Sequence, residues 1–326
     1  MTNYHKLSVI IPAYNENDII LPMLNECISS LSSINHEIIL VDDGSSDGTF
    51  EKVRKFSECH RNIKIVNYGG NHGKGFAIRY GFKYATGDLV AFIDADLNLH
   101  PGQIVKLMEY MDRTGADVVV GSKRHPSSKV NYPLKRKIMS EIYYILVKSL
   151  FGVPVKDTQV GLKLYRRKVL EHIFPKVLVK RYAFDIEMLA NAQRLGYKII
   201  EAPVELNMGF SNRVNMNAIW NMLIDTAAVF YRMNIIHYYD RQDYDAVSER
   251  PSSDTLRSIP PGYPEDITLS SLPSEYLGDR TSIVKPGYPG VLPAIEKDLL
   301  RGNTDKMISN PRNIPTQEHS DLKYYH

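Results

Sequence analysis

Two aspartates at the end of a short apolar run are the residues whose spacing points most directly to chemistry. The run at 89–93 predicts a buried strand, and Asp94 and Asp96 follow it with one small residue between them. Residues two apart on a strand project the same way, and open α/β sheets bind ligands at the carboxyl ends of their strands. Two carboxylates followed by the Asn98 amide suit Mg²⁺ or Mn²⁺ holding a diphosphate. The alternative is an aspartate-rich turn without chemistry.

The rest of the chain predicts the elements that must position these aspartates. Apolar runs alternate with helical patterns of 10–15 residues, which indicates an α/β protein built from right-handed, parallel βαβ units. In such a sheet the polar loops after the strands share one edge. The predicted strands lie at 7–11, 37–41, 63–66, 89–93 and 117–121.

Composition narrows the class of protein. The hydrophobic share of 43% and the charged share of 24% are those of a soluble globular protein. Two cysteines, Cys27 and Cys59, provide no disulfide framework and fit a reducing compartment. No GxGxxG or P-loop signature is present, which counts against a dinucleotide dehydrogenase or an NTPase. No apolar run reaches the ~18 residues that would predict a membrane-spanning helix.

Charge and proline content predict a boundary near residue 240. Residues 1–240 carry a net positive charge and residues 241–326 a net negative one, although the whole chain is +3. Ten of the 18 prolines lie in the second part. We therefore expect a folded domain over 1–240 and a Pro-rich, mostly irregular extension over 241–326.

Three motifs in order carry a resemblance to a known family. They are SVIIPAYNE at 8–16, VDDGS at 41–45 and DAD at 94–96. Together they resemble the nucleotide-sugar half of family 2 glycosyltransferases, which implies a GT-A (Rossmann-like), mostly parallel sheet flanked by helices. Three later motifs, at 121–123, 133–140 and 157–164, resemble the dolichyl- or polyprenyl-phosphate sugar synthases. The resemblance covers residues 6–235.

The resemblance implies a donor site at the carboxyl edge of the sheet. Pro12, Tyr14, Glu16 and Asp43 would line the base and ribose pocket, the alternatives being a core tyrosine and a helix-capping aspartate. Asp94 and Asp96 would bind the metal together with Asn98, which stands where mannosyl relatives usually carry Gln. The expected donor contacts are Pro12, Tyr14, Glu16, Asp43, Lys74, Asp94, Gln159 and Arg213.

A basic run indicates where a second phosphate would bind. No acid occurs between Val118 and Ser140, whereas six lysines and arginines do. The resemblance assigns the acceptor phosphate to Lys123, where relatives commonly have Arg, and to Arg136 and Ser140. The alternatives are a solvated face or an RNA-binding one. RNA is disfavoured because interleaved aromatics and an RNA-module pattern are missing, so we expect no nucleic-acid partner.

Two further aspartates and two helices complete the expected site. The resemblance places Asp157 at the transfer site as a third catalytic carboxylate, and Asp185 either faces the acceptor or is simply helix N-terminal charge. Amphipathic patterns at 134–151 and 217–231 suit helices lying in the headgroup layer of a membrane. An ordinary core-facing helix is an equal alternative for the second. We expect a cytoplasmic protein that binds the cytoplasmic face of a membrane peripherally.

The resemblance implies an inverting, metal-dependent hexosyltransferase that uses Mg²⁺ or Mn²⁺. It would move a hexose from UDP-glucose or GDP-mannose to a dolichyl or polyprenyl phosphate. One alternative sends the sugar to a glycan or protein hydroxyl and needs a general base, for which Asp157 or Asp185 is the candidate. Another is a catalytically silent nucleotide-sugar-binding scaffold, against which the intact pair of Asp94 and Asp96 argues. The sequence predicts no oligomeric state.

Overall fold

The structure is a computed structural model that describes residues 6–129, 134–181, 183–206 and 216–240, with the backbone alone described for 134–138 and 216–219. The described part contains one seven-stranded sheet in the order β3-β2-β1-β4-β6-β5-β7. The strands are β1 (Leu7–Ala13), β2 (His36–Asp42), β3 (Ile63–Asn67), β4 (Leu89–Phe92), β5 (Val118–Ser122), β6 (Lys163–Arg166) and β7 (Ile199–Pro203).

Helices connect and cover these strands. Their bounds are α1 (Ile20–Ser30), α2 (Thr49–Ser57), α3 (Lys74–Phe82), α4 (Gln103–Thr114), α5 (Leu134–Phe151), α6 (Arg167–Ile173), α7 (Phe184–Arg194) and α8 (Met216–Phe230). A π-helical turn, Tyr231–Ile235, extends α8. The mostly parallel, helix-flanked sheet expected from the sequence is confirmed, whereas residues 241–326 lie outside the described part.

One strand, β6, runs against the others, so the sheet is mostly and not wholly parallel. β6 lies between β4 and β5 and pairs antiparallel with both, with Lys163 opposite Phe92 and Val120. The remaining pairings are parallel. β6 begins beside the end of β5, where Gly121 N donates to Leu162 O at 3.0 Å. Because β6 begins at the carboxyl edge of the sheet, where β5 ends, it must run back towards the amino edge and is therefore antiparallel to its neighbours.

The sheet is buried where it positions the polar loops. β4 and β5 are buried at every residue, as expected of strands covered on both faces. Tyr165 of β6 is fully buried, and its ring centre lies 5.1 Å from that of Phe92. The Asp94 loop therefore leaves a strand that cannot shift without disturbing the core.

A buried carboxylate joins elements at the opposite, amino edge of the sheet. Glu37 is 2% exposed and accepts hydrogen bonds from Ser8 Oγ at 2.7 Å and Thr86 N at 2.6 Å. The ammonium groups of Lys6 and Lys64 lie 2.9 and 3.0 Å from its Oε2. Burial opposes ionisation, but these donors prevail and lower the pKa of Glu37 from 4.5 to about 2.

The two predicted amphipathic helices are confirmed and pack on each other. α5 has the predicted bounds, and α8 begins and ends one residue before its prediction. Tyr143 Oη and Thr226 Oγ1 are hydrogen-bonded at 2.9 Å. The rings of Phe151 and Phe230 meet edge to face, with centroids 6.2 Å apart. The helices thus form one layer that follows the predicted acceptor segment.

Candidate active site

Asp94 lies at the carboxyl edge of the sheet, directly after β4, and is paired with a lysine. Its Oδ1 lies 2.5 Å from Nζ of Lys74, the first residue of α3. Gly75 N donates to the carbonyl of Lys180 at 2.8 Å, which fixes the start of that helix. Burial raises the pKa of Asp94, but Lys74, with smaller contributions from other lysines, outweighs it and holds that pKa below its ordinary value. Asp94 is therefore an ionised carboxylate.

Asp96 follows Asp94 and faces solvent at the same edge. Asn98 N donates to Asp96 Oδ1 at 3.0 Å, and the Asn98 side-chain amide donates to Oδ2. Partial desolvation and then the charge of Asp94 raise the pKa of Asp96. Two carboxylates that disfavour each other's charge create a place where a cation is stabilised.

The carboxylate pair fits a divalent cation of the Mg²⁺ or Mn²⁺ type. Both side chains offer hard oxygen ligands. Within the described residues, no group of three or more His, Cys, Asp or Glu residues could hold a metal. Mg²⁺ commonly uses one or two carboxylates together with substrate phosphates and water. Asp94 and Asp96 supply such a partial set, while the amide nitrogen of Asn98 supports Asp96.

Asp43 holds the loop that leads to Lys74. Its carboxylate is 4% exposed and accepts from Tyr68 Oη at 2.8 Å, His72 N at 2.7 Å and Gly73 N at 2.9 Å. Since these groups all belong to the segment between β3 and α3, Asp43 fixes that segment at the sheet edge. The sequence predicted Asp43 as a donor contact, and it acquires this additional structural role.

The predicted donor contacts at the end of β1 and just after it lie beside Asp43, whose N–H donates to the carbonyl of Ala13 at 2.8 Å. β1 and β2 are neighbours, with Ala13 opposite Asp42, so Pro12, Tyr14 and Glu16 come to the same edge. Tyr14 is 37% exposed, which leaves its ring open to a ligand. The structure therefore brings this predicted group together at the edge that carries Asp94.

Lys123 and Asp157 lie against each other in the part of the site that the sequence predicted for the acceptor. Asp157 Oδ2 accepts from Lys123 N at 2.9 Å and lies 3.6 Å from its ammonium. Glu201 in turn accepts from the backbone of Lys156 and Asp157, at 2.6 and 3.1 Å. This arrangement places a basic residue predicted for the acceptor against the aspartate predicted for the transfer site.

A buried ion pair lies behind this region, and the sequence did not predict it. Lys163 Nζ donates to Asp185 Oδ1 at 2.7 Å and to the carbonyl of Val160 at 2.5 Å. The lysine side chain is 1% exposed and that of the aspartate 10%. Burial lowers the pKa of Lys163, and Asp185 opposes that effect. The pair is separated by 22 residues in sequence, so no local pattern indicates it.

The remaining predicted residues divide into three groups. Ser140 lies on α5 and accepts from Nη2 of Arg124, a partner that the sequence did not single out, at 2.9 Å. Gln159 is half-buried, and its Nε2 atom has no hydrogen-bond partner among the described residues. The side chain of Arg136 and all of Arg213 lie outside the described residues.

Comparison with known proteins identifies the class that this fold and site define. The Glycosyl transferase family 2 model matches residues 8–174. Dolichyl-phosphate β-glucosyltransferase ALG5D of Trichomonas vaginalis is 36% identical over 255 residues, covering 72% of this chain and 77% of the relative. The chain therefore belongs to glycosyltransferase family 2. It is an enzyme, a hexosyltransferase similar to the dolichyl-phosphate hexose synthases, as the sequence predicted.

Solved structures share the fold at lower sequence identity. Mannosyl-3-phosphoglycerate synthase from Rubrobacter xylanophilus has a TM-score of 0.54 and 18% identity over 73% of this chain and 76% of that one. Glucosyl-3-phosphoglycerate synthase from Mycobacterium tuberculosis, in complex with Mn²⁺, UDP and glucosyl-3-phosphoglycerate, has a TM-score of 0.53 and 23% identity over 69% and 78%. These similarities support the GT-A fold.

Proposed function

We propose that this enzyme transfers glucose from UDP-glucose to the phosphate of dolichol or a related polyprenol, with inversion at the anomeric carbon. The name of the curated relative supports the sugar and the acceptor. The UDP bound to a structural neighbour supports the nucleotide. The chain itself adds a further argument. Both candidates for the general base that a hydroxyl acceptor would need, Asp157 and Asp185, are already paired with a lysine.

The donor would lie along the edge formed by the loops after β1, β2 and β4. Tyr14 would contact the base, and Pro12, Glu16 and Asp43 would complete its pocket. Lys74 keeps Asp94 ionised and places a positive charge near the leaving diphosphate. A divalent cation held by Asp94 and Asp96, Mg²⁺ or Mn²⁺, would stabilise the charge of that diphosphate as a Lewis acid.

The acidic side chains near the acceptor favour phosphate over a hydroxyl. A hydroxyl acceptor needs a general base within hydrogen-bond reach, and Asp157 and Asp185 are the candidates. Asp157 faces Lys123, and Asp185 forms a buried pair with Lys163. Each of these two carboxylates is therefore already engaged by a lysine ammonium. A phosphate monoester is largely ionised at neutral pH and can attack without one.

An exposed apolar face on α5 and α8 supports peripheral binding to a membrane. Ile142 and Ile145 on α5 are 64% and 56% exposed, and Trp220 and Ile224 on α8 are 63% and 62% exposed. Neighbouring helices with exposed large apolar side chains suit the boundary between headgroups and acyl chains. In the described part of the chain, no helix has the length and apolarity needed to cross a bilayer. We propose contact with the cytoplasmic face of a membrane.

A donor and acceptor panel tests this function. Purified protein is incubated with Mg²⁺ or Mn²⁺, radiolabelled UDP-glucose or GDP-mannose, and either polyprenyl phosphate or a soluble glycan. We expect label from UDP-glucose to enter the organic phase with polyprenyl phosphate. Preferential labelling from GDP-mannose would correct the donor, and labelling of the glycan alone would contradict the proposed acceptor.

A further inference from the structure

Arg124, two residues after the end of β5, lies at the centre of a polar cluster with α5. Its Nη2 atom donates to Ser140 Oγ at 2.9 Å, and its Nη1 atom pairs with the carboxylate of Glu141. The guanidinium carbon lies 5.0 Å from the ring centre of Tyr144. The ring, the hydroxyl and the carboxylate together fix the orientation of the guanidinium plane.

The two partners of this ion pair differ in exposure. The Arg124 side chain is 18% exposed, whereas that of Glu141 is 50% exposed. An ion pair with one half-exposed partner contributes little to stability, so Glu141 can leave at small cost. In the sequence Glu141 is the sole acid between Asp117 and Asp157. The Glu141 carboxylate is therefore an anion that already occupies a binding position at Arg124, within the basic segment.

The neighbouring base, Lys123, is less suited to a phosphate. Its ammonium lies 3.6 Å from Asp157, and its backbone N–H donates to the same carboxylate. An ammonium also lacks the planar, two-pronged donor set with which a guanidinium binds carboxylate or phosphate. Of these adjacent basic residues, Arg124 offers the better geometry for a phosphate.

From this arrangement we infer that Arg124 binds the acceptor phosphate and that Glu141 holds its guanidinium until the acceptor displaces it. The inference rests on the proposed function and adds to it a specificity residue that the family resemblance places elsewhere, at Lys123. On binding, the Glu141 carboxylate moves to solvent and the phosphate takes its place. Arg124 stays paired with an anion throughout, and Ser140 can contact the same phosphate.

Two conservative variants test this inference, with a water-soluble, short-chain isoprenyl phosphate as the varied substrate. Arg124→Lys keeps the charge but loses the two-pronged geometry. It should raise the KM for the lipid phosphate about tenfold or more, since charge-assisted hydrogen bonds are of that strength. The KM for the nucleotide sugar should stay within about threefold. Glu141→Gln removes the competing anion and should lower the lipid-phosphate KM by about two- to fivefold.

The double variant Arg124→Gln/Glu141→Gln, compared with Arg124→Gln alone, separates competition from a general charge effect. If Glu141 acts through Arg124, the gain from Glu141→Gln disappears in the double variant. Arg113→Lys is the matched control, because Arg113 lies over the Tyr110 ring at 4.5 Å in a comparable arrangement. Circular dichroism verifies that every variant is folded.

Two results would show that Arg124 and Glu141 form a surface ion pair without a role in binding the acceptor phosphate. These are an unchanged lipid-phosphate KM in Arg124→Lys, or a Glu141→Gln effect of equal size in the presence and absence of Arg124. In that case the wild type still labels the lipid phosphate, and the proposed function survives. Failure of the wild type to label any isoprenyl phosphate would remove the proposed function and this inference together.

Discussion

Gly161 lies directly against the carboxylate of Asp94. A Cβ atom at position 161 would be 2.0 Å from Asp94 Oδ2 and 2.4 Å from its Cγ. Real Cβ atoms essentially never approach that closely, so a side chain at 161 would displace the carboxylate or the loop. The relationship explains the glycine physically and connects the 157–161 segment with the proposed metal site.

Gly161→Ala should therefore impair transfer by displacing Asp94. We expect kcat/KM to fall about tenfold or more because the carboxylate is misplaced, while the free energy of unfolding should change little, since the displaced atoms are the end of a side chain that is 36% exposed. Steady-state kinetics and urea denaturation measure the two effects. The control is Gly69→Ala, where an added Cβ meets nothing within 4 Å. Gly161→Ala kinetics equal to those of this control would contradict the proposed geometry.

The ion pair of Lys163 and Asp185 should contribute more to positioning the active site than to the free energy of unfolding. Lys163→Met leaves a buried carboxylate unpaired and should cost about 3–5 kcal/mol. The double variant Lys163→Met/Asp185→Leu should recover most of that loss, because replacing both partners of a buried pair by apolar groups is often neutral. Activity should stay low in both variants, because the hydrogen bond to Val160 is lost.

Urea denaturation together with the transfer assay measures this difference. Lys168→Met is the control for losing an exposed lysine, since the Lys168 side chain is 59% exposed in its ion pair with Asp117. Full activity in the stable double variant would show that the buried pair does not position the site.

Glu37 should make stability depend on pH at the amino edge of the sheet. Because its pKa falls from 4.5 to about 2 on folding, its contribution is complete above pH 4.5 and is lost as pH falls towards 2. Glu37→Gln should therefore cost about 2–3 kcal/mol at pH 7 and progressively less below pH 4.5. Urea denaturation at pH 7 and pH 3 checks this.

The control for this pH effect is Glu171→Gln, whose carboxylate belongs to an exposed pair with Arg167. It should follow the wild type at both pH values. A Glu37→Gln deficit that is as large at pH 3 as at pH 7 would show that the loss comes from packing and not from charge.

The apolar face of α5 and α8 should govern binding to membranes. Trp220→Ser together with Ile224→Ser should reduce co-sedimentation with anionic liposomes several-fold, because both side chains are more than half exposed and contribute buried area only when lipid covers them. Leu195→Ser, an exposed leucine at the end of α7, is the control. Equal liposome binding by all three proteins would place the contact elsewhere on the chain.

The sequence predicted the elements whose patterns are local. Strands β1 to β5 and helices α5 and α8 follow from apolar runs and helical spacing, and the loops that carry Asp43 and Asp94 lie at one sheet edge as expected. β6 was not predicted, because its four residues include Lys163 and Arg166 and give no strand signal.

Contacts between segments that are distant in the chain could not be predicted from the sequence either. The bond from Arg124 to Ser140 joins the loop after β5 to α5, while the approach of Gly161 to Asp94 and the pair formed by Lys163 depend on the insertion of β6 between β4 and β5. Side-chain periodicity does not encode that insertion. The family resemblance supplied residue roles at the site, but it could not supply these distances.

The most direct test of the whole account compares wild type with Asp96→Asn in transfer from labelled UDP-glucose to polyprenyl phosphate. Asparagine preserves the shape of the side chain and removes the charge that the metal requires. Wild type with Mg²⁺ or Mn²⁺ should label the organic phase, while chelation with EDTA or Asp96→Asn should reduce the rate at least about a hundredfold. Equal rates with and without metal, or equal rates in wild type and Asp96→Asn, would contradict a metal-dependent transfer at Asp94 and Asp96.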